Sequence, residues 1–353
     1  MQNQATAADE IFQEKILQDV SRTFALTIPQ LPPALRKVVS NAYLLCRIAD
    51  TIEDDNALTS GQTRQFSDMF IEVVSGNIPA KAFSEKLYPL LSGHTIEAEH
   101  ELIKNVPSVI RITHSFNINQ RKALERCIRI MAKGMADYQD SESLNGLENL
   151  HAMDEYCYYV AGVVGEMLTD LFCDYSDEIN KNKTLLMQLA VSFGQGLQMT
   201  NILKDIWEDR QRGACWLPGD IFSSFGLELD KLSPNDKRFA NGLGILIGVA
   251  KNHLRDALEY TLLIPARETG IRRFCLWAIG MAVLTLNKLN NHREFSGGNE
   301  VKITRHSVKA TVLVTSLLAR HDPALILLFN LFSRNLPKTD IREKLDKLNY
   351  TAL

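Results

Sequence analysis

Long apolar segments with helical spacing run through nearly the whole chain of 353 residues. Strand-like alternation of apolar and polar residues is scarce. Each long segment is bounded by Pro, Gly, Asn, Ser or Asp, as helix ends should be. The segments are Ala34 to Ile52, Gln120 to Tyr138, Met153 to Phe172, Lys183 to Glu208, Asn241 to Leu263 and Arg272 to Leu289. Helices that are apolar on most faces are usually buried in large bundles. The sequence therefore predicts an all-α fold in one domain, 1–353, with its core at about 12–335.

Two acidic clusters lie at or near the C-terminal ends of two of these segments. Residues three and four apart share a helix face. The residues so aligned are Asp50, Glu53 and Asp54 in the first cluster, and Asn201, Asp205 and Asp209 in the second. Like charges at this spacing destabilise a helix, and the helix dipole favours cations at that end. Oxygen ligands suit Mg²⁺, which bridges carboxylates to substrate phosphates. We predict a site for Mg²⁺, or for Mn²⁺ in its place; two solvated acidic faces are the alternative.

Basic and aromatic residues accompany the first cluster. Arg47 lies one turn before Asp50, and Tyr43 lies one turn earlier still. An arginine facing a metal-lined cavity can bind diphosphate oxygens bidentately, or it can simply pair with Asp50 or Glu53. Tyr43 is interpreted as a cavity residue, although a core position is the alternative.

Polar residues also accompany the second cluster. Gln198 lies one turn before the cluster, and Lys204 lies within it, where its ammonium could hold a phosphate as a point charge. Downstream, the segment 210–218, which includes Arg212, is either a basic flap over the metal end or an ordinary turn.

Small residues interrupt the segment from Tyr156 to Gly165. Gly162 and Gly165 inside a helix cost about 1 kcal/mol each relative to Ala, which a helix accepts when another backbone or a ligand comes close. A close helix crossing is one interpretation. Beside two acidic clusters, we favour a wall for a long apolar substrate.

Composition narrows the functional classes. The net charge of −3 gives no basic footprint for nucleic acid. Six scattered cysteines indicate reduced thiols, and the polar start of the chain is unlike a secretory signal, so we expect a cytoplasmic protein. The longest apolar run, 310–332, is broken at 320–323, so we expect no transmembrane anchor. The remaining apolar stretch, 324–329, is either a core helix or a peripheral contact at the inner membrane surface.

Taken together, the motifs resemble those of the squalene/phytoene synthase family, over about Ser21 to Thr315. The matching pieces are Ser21-Arg22-Thr23-Phe24, Asp50 to Asp54, Tyr156 to Gly165 and Asn201 to Asp209. The stretch Tyr156 to Gly162 and the segment Val301-Lys302-Ile303 are most similar to the squalene-forming branch. The latter continues Thr304-Arg305-His306, where that branch has a basic pair followed by Gly. The resemblance implies an isoprenoid-synthase helical bundle around a central cavity. The C-terminal membrane anchor of the eukaryotic enzymes has no counterpart here, which suggests a bacterial type.

The resemblance also implies the chemistry. Two molecules of farnesyl diphosphate would be joined head to head to presqualene diphosphate, and NADPH would then reduce this intermediate to squalene. Mg²⁺ would be held by both clusters, and the residues acting in catalysis would be Arg47, Asp50, Asp54, Asp205 and Asp209. Diphosphate and substrate contacts would come from Arg22, Phe24, Arg47, Val160, Ala161, Val164, Gly165, Gln198, Lys204 and Arg212. Tyr156 and Tyr43 would stabilise cations or relay a proton, and Lys302 and Arg305 would contact NADPH.

Three rival interpretations follow from the same residues. A relative that uses no NADPH would release presqualene diphosphate, dehydrosqualene or phytoene. A non-catalytic binding protein of the same fold would be expected to lose the acidic residues, which are intact here. A di-iron bundle would need paired Glu-x-x-His motifs, of which Glu97 and His100 supply one.

Overall fold

The computed structural model of the protein describes residues 4–21, 23–139 and 143–339. Within these ranges the chain is built of helices and contains no β-strand, so the predicted all-α class is confirmed. The α-helices are α1 (Ala7–Val20), α2 (Phe24–Thr27), α3 (Pro33–Asp54), α4 (Ser60–Val74), α5 (Ala80–Leu87), α6 (Glu97–Lys104), α7 (Val106–Ser115), α8 (Ile118–Gln139), α9 (Leu150–Cys157), α10 (Val163–Tyr175), α11 (Asp177–Asn180), α12 (Lys183–Gln211), α13 (Gly219–Ser223), α14 (Lys237–Leu263), α15 (Thr269–Asn291), α16 (Arg305–Leu318) and α17 (Asp322–Ser333). Short 3₁₀ turns cover Ile28–Gln30, Tyr88–Leu90 and Leu229–Lys231.

Five of the six predicted segments are single helices, namely α3, α8, α12, α14 and α15. The sixth differs, because a π-helical turn, Tyr158–Gly162, separates α9 from α10. This turn lies against α12, where a Cβ added to Gly194 would come within 2.1 Å of the Ala161 carbonyl oxygen. The wide turn is therefore accommodated by a glycine on the facing helix. Such turns are common at functional sites.

Helix α12 is the central element of the bundle and packs against α10, α14 and α15. The apolar core has two parts, one formed mainly by α1 to α10 and the other by the C-terminal helices. Val160 and Phe193 pack against both parts. This shared packing agrees with the single domain expected from the sequence, which stays a prediction.

A buried arginine fixes the connection between the last two helices. Arg272 on α15 donates to the carbonyl oxygens of Ile264 (2.8 Å) and Ala319 (3.0 Å), and it pairs with Asp322 at 2.5 Å. These charge-assisted bonds hold the α16–α17 turn against the bundle.

One helix of the described ranges, α15, is long and apolar enough to cross a membrane. About two thirds of its most apolar window, 67%, is buried inside the fold. All six cysteines are buried and unpaired, as predicted for reduced thiols.

Candidate functional site

A cavity of about 570 Å³ lies between α3, α10, α12 and α15. Along α3 its lining changes from Val39 and Ala42 to Asp50 and Asp54, and along α12 it changes from Phe193 to the acidic residues. The C-terminal ends of these two helices therefore form the acidic end of the cavity, and the remainder is largely apolar.

Most of the predicted site residues line this cavity. They are Phe24, Tyr43, Arg47, Asp50, Glu53, Asp54, Tyr156, Val160, Ala161, Val164, Gly165, Gln198, Asn201, Lys204, Asp205, Asp209 and Arg212. Arg22 lies outside the described residues. Lys302 and Arg305 are exposed and lie away from the cavity lining.

Arg212 joins the two acidic faces. Its guanidinium lies 2.5 Å from Asp209 on α12 and 3.6 Å from Asp54 on α3. A cation thus already stands between carboxylates from the two helices. The segment that follows α12 contributes to the cavity as the flap interpretation predicted, since Arg212, Ala214 and Trp216 all line it.

The carboxylates at this end are held in an environment that disfavours their charge. Burial raises the pKa of Asp50 to about 7; the charges of Asp54 and Glu99 act in the same direction, and Arg47 opposes them. Burial also raises the pKa of Asp54 and of Asp209, against the opposing effect of Arg212. The fold has gathered more negative charge here than its own cations neutralise, so a further cation would be stabilised.

The donor set suits Mg²⁺. All candidate ligands are oxygens on two facing helices, and no three His, Cys, Asp or Glu side chains within the described ranges already converge on one point. Mg²⁺ retains water and is usually bound by one or two carboxylates together with substrate phosphates. An open pair of acidic faces therefore fits this ion better than a closed protein cage would.

Arg47 is oriented by a residue that the sequence analysis did not identify. Glu99 on α6 pairs with the Arg47 guanidinium at 2.5 Å, while Asp50 lies 3.7 Å away. The carboxylates of Asp50 and Glu99 outweigh the effect of burial and raise the pKa of Arg47. The buried Nε of Arg47 has no hydrogen-bond partner within the described structure. The Arg47 side chain as a whole is 28% exposed, so part of its guanidinium lies beside the first acidic face.

A second unpredicted contact supports the other acidic face. The backbone N–H of Gly298, in the loop before α16, donates to the Glu208 carboxylate at 2.8 Å. A Cβ at Gly298 would lie 3.1 Å from both Glu208 Oε1 and the Lys204 carbonyl oxygen, and 3.3 Å from Asp205 Oδ1. A side chain at this position would force Glu208 or the Lys204 backbone to shift by a few tenths of an ångström. Lys204 itself pairs with Asp205 at 3.0 Å.

Aromatic rings line both sides of the acidic end. The Tyr156 and Trp216 rings are stacked, with centroids 4.1 Å apart and planes within 4°. On the other side, Phe24 and Tyr43 have ring centroids 5.1 Å apart. The Tyr43 hydroxyl donates to the Val20 carbonyl at 3.0 Å, which leaves its ring available to the cavity. Burial raises the pKa of Tyr156 well above its usual value, so the phenol stays protonated at neutral pH.

The apolar wall predicted at Val160, Ala161, Val164 and Gly165 is present on the cavity surface. The glycine also serves helix packing, because a Cβ at Gly165 would lie 2.1 Å from the Ala190 carbonyl oxygen on α12. The position of this stretch is therefore compatible with both interpretations, the close helix crossing and the wall for an apolar substrate. Its side chains face the cavity, and its glycine permits a close helix crossing.

The di-iron interpretation finds no support in the positions of its motifs. A second Glu-x-x-His pair, Glu148 and His151, exists in the sequence beside the pair at Glu97 and His100. Neither pair lines the cavity.

Several residues in or behind the cavity were not predicted from the sequence. Trp216, Glu208 and Phe193 line the cavity, and Glu99 and Gly298 support it from behind. Glu208 carried a detectable signal, because it lies within the second acidic cluster. The positions of Glu99 and Gly298 depend on contacts between distant parts of the chain.

An all-α bundle with two acidic helix faces at one end of a largely apolar cavity defines the class of helical isoprenoid synthases. The family model described as squalene/phytoene synthase matches residues 17–307. The chain belongs to the squalene/phytoene synthase family.

Similar proteins agree with this assignment. The squalene synthase ERG9 of Saccharomyces cerevisiae is 31% identical over 341 residues, which cover 94% of this chain and 70% of that protein. The squalene synthase of Cyberlindnera jadinii is 30% identical over 80% of this chain and 62% of its own length. The chain therefore spans roughly two thirds of these relatives.

Solved structures share the fold. TcSQS in complex with a ligand superposes with a TM-score of 0.73 at 24% identity, covering 97% of this chain and 96% of that one. A dehydrosqualene synthase gives a TM-score of 0.64 at 22% identity, over 88% of this chain and 96% of that one.

Proposed function

We propose that this chain is a squalene synthase that joins two molecules of farnesyl diphosphate to presqualene diphosphate and reduces it to squalene. The observation that carries the proposal is the shape of the cavity. Two acidic helix faces meet at one end through Arg212, and apolar side chains line the remainder. Such a cavity suits a substrate with a polyanionic head and a long hydrocarbon tail. The two relatives from Saccharomyces cerevisiae and Cyberlindnera jadinii are both named squalene synthase.

The acidic end would hold the diphosphate groups. Mg²⁺ would be bound by Asp50, Asp54, Asn201, Asp205 and Asp209, and it would supply Lewis-acid stabilisation of the departing diphosphate. Glu53 would assist from the same helix face.

Basic and amide side chains would complete the diphosphate site. Arg47, whose side chain is partly exposed and lines the cavity, would donate to a diphosphate oxygen while Glu99 holds its guanidinium in place. Lys204 and Gln198 would bind further oxygens beside the second face. Arg212, which bridges the carboxylates in this structure, would exchange one of them for substrate.

The apolar part of the cavity would hold the two hydrocarbon chains and exclude water. Loss of diphosphate from an allylic carbon leaves a carbocation, which water would quench. Val160, Ala161 and Val164 offer no nucleophile to that cation. The faces of Tyr156 and Phe24 would attract it by about 0.5–2 kcal/mol.

The reduction of presqualene diphosphate by NADPH distinguishes a squalene synthase from the non-reducing members of the family. Lys302 and Arg305 flank Thr304, the N-cap of α16, whose side chain accepts from the Ser307 N–H. Two cations beside a helix N-terminus suit the phosphates of NADPH. The Gly298 loop, which contacts Glu208, leads directly from the cavity to this segment. A non-reducing relative that releases presqualene diphosphate or dehydrosqualene is the second candidate, because both cations are exposed and lie away from the cavity lining.

The test is an incubation of purified protein with farnesyl diphosphate and Mg²⁺, with and without NADPH, followed by mass analysis of the extracted lipid. We expect squalene only when NADPH is present. Identical products under both conditions would assign the chain to the non-reducing alternative. EDTA should stop the reaction and excess Mg²⁺ should restore it; activity that survives chelation would contradict the metal assignment.

A Lys302→Gln/Arg305→Gln variant tests the nucleotide contact separately. It should raise the KM for NADPH while leaving the rate of presqualene diphosphate formation unchanged. The matched control, Lys231→Gln, removes an exposed charge on the 3₁₀ turn Leu229–Lys231, away from the cavity lining, and should change neither quantity.

A further inference from the structure

The outer faces of α16 and α17 expose a group of large apolar side chains. Its members are Leu313, Leu317, Ile326, Leu327, Leu331 and Phe332, which are between 43% and 70% exposed. We call this group the α16–α17 surface. The opposite faces of both helices pack against α15, and Leu325 and Phe329 belong to the buried core. Since both helices bury the face toward α15, their exposed faces point away from the bundle together.

A positive charge stands at one end of each apolar stripe. On α16, Lys309, Leu313 and Leu317 follow one another at intervals of four residues, so they share one helix face. On α17, Leu327, Leu331 and Arg334 share a face in the same way. Apolar residues at the centre and exposed cations at the margin form the pattern of helices that lie in a membrane interface.

Negative charge is scarce around this surface. Between residues 306 and 339 the sequence contains four cations, Lys309, Arg320, Arg334 and Lys338, and a single carboxylate, Asp322. Asp322 is engaged by the buried Arg272. None of the four cations forms an ion pair with another residue of the described ranges, and all are exposed. The region is thus positively charged although the whole chain carries a net charge of −3.

We propose that the α16–α17 surface docks the protein onto an anionic lipid surface. Helix α17 has 12 residues, so it is about 18 Å long and too short to span a hydrocarbon core of about 30 Å. Lying in the interface, it would place its leucines among the acyl chains and its terminal arginine among the headgroups.

A second copy of the chain fits this surface less well than a lipid surface does. A two-fold dimer brings the same patch of both subunits together. The four exposed cations of one copy would then approach those of the other, and between residues 306 and 339 the one carboxylate, Asp322, is already engaged by Arg272. Anionic headgroups would neutralise the same charges.

The test is sedimentation of the full chain with vesicles of equal parts phosphatidylcholine and phosphatidylglycerol, without substrate. A Leu317→Ser/Leu327→Ser variant should bind at least about ten-fold more weakly. The control variant Ile11→Ser/Leu185→Ser removes apolar side chains of similar exposure from α1 and α12 and should bind like the original chain. A Lys309→Gln/Arg334→Gln variant should lose about five-fold per charge on the mixed vesicles, and little on pure phosphatidylcholine.

Three results would overturn the proposal. The first is that the original chain fails to sediment with the mixed vesicles. The second is that the Leu317→Ser/Leu327→Ser variant binds as well as the control variant. The third is that sedimentation velocity shows a dimer, which the same two leucine substitutions dissociate. The last result would make this surface an interface between copies. Because no substrate is present, failure here leaves the proposed reaction untouched, and the product assay tests that reaction by itself.

Discussion

Asp50→Asn should abolish turnover and yet make the metal-free protein more stable. The Asp50 carboxylate is 29% exposed and lines the acidic end of the cavity. Loss of one metal ligand should remove several kcal/mol of transition-state stabilisation, about 10³-fold in rate or more. The same substitution removes a charge that the metal-free fold disfavours.

The stability change follows from the pKa of Asp50. Because the fold raises this pKa from 3.8 to about 7, the folded state binds the proton more tightly than the unfolded state does. Stability of the metal-free protein therefore falls as pH rises from about 4 to about 7. The full shift corresponds to at most about 4 kcal/mol. Partial exposure to the cavity reduces this figure to about 1–2 kcal/mol.

Thermal unfolding in EDTA at about pH 8, where the penalty is fully developed, measures the effect. Asp50→Asn should melt at a higher temperature than the original chain, and the difference should narrow toward pH 5. Mg²⁺ should then stabilise the original chain by mass action and the variant much less. The control, Asp68→Asn, changes an exposed carboxylate on α4 and should alter neither melting nor turnover. An active variant, or one less stable than the original chain in EDTA, would refute the reasoning.

Three further predictions concern packing and charge. Gly194→Ala should destabilise the fold by about 1–3 kcal/mol or more in urea unfolding because its Cβ meets a backbone carbonyl at 2.1 Å. The control Gly61→Ala, which lies in α4 with open space around it, should be neutral or stabilise the fold by up to about 1 kcal/mol. Gly298→Ala should lower turnover about ten-fold with little change in stability, because it disturbs the hydrogen bond from Gly298 to Glu208 by about 1 kcal/mol. The matched control is Gly297→Ala, at the adjacent position. Equal effects of the two substitutions would contradict the proposed contact. The hydrogen-bonded guanidinium of Arg111 holds the pKa of Asp9 well below its usual range. The Asp9 carboxylate should therefore contribute about 2 kcal/mol to the free energy of unfolding at neutral pH. This contribution begins to fall as pH drops below about 4 and is lost progressively toward the much lower folded pKa. The difference in urea unfolding between Asp9→Asn and the original chain should therefore be largest at neutral pH and shrink progressively below about pH 4.

The helices of the bundle were predictable because each is specified locally. The apolar spacing of 34–52 and 183–208 lies within α3 and α12, whose observed ends differ by a few residues. The segment 153–172 was predicted less well. Its π-helical turn depends on the glycine of a distant helix, which local periodicity cannot reveal.

The sequence by itself determined the fold class and the two acidic faces, because residues three and four apart must share a helix surface. It also predicted which side chains would hold a divalent cation. Only the tertiary structure decided that the two faces meet at one cavity, that Arg212 bridges them, and that Glu99 and Gly298 support them. These contacts join residues far apart in the chain, and their geometry is set by how α12 packs among its neighbours rather than by any local pattern.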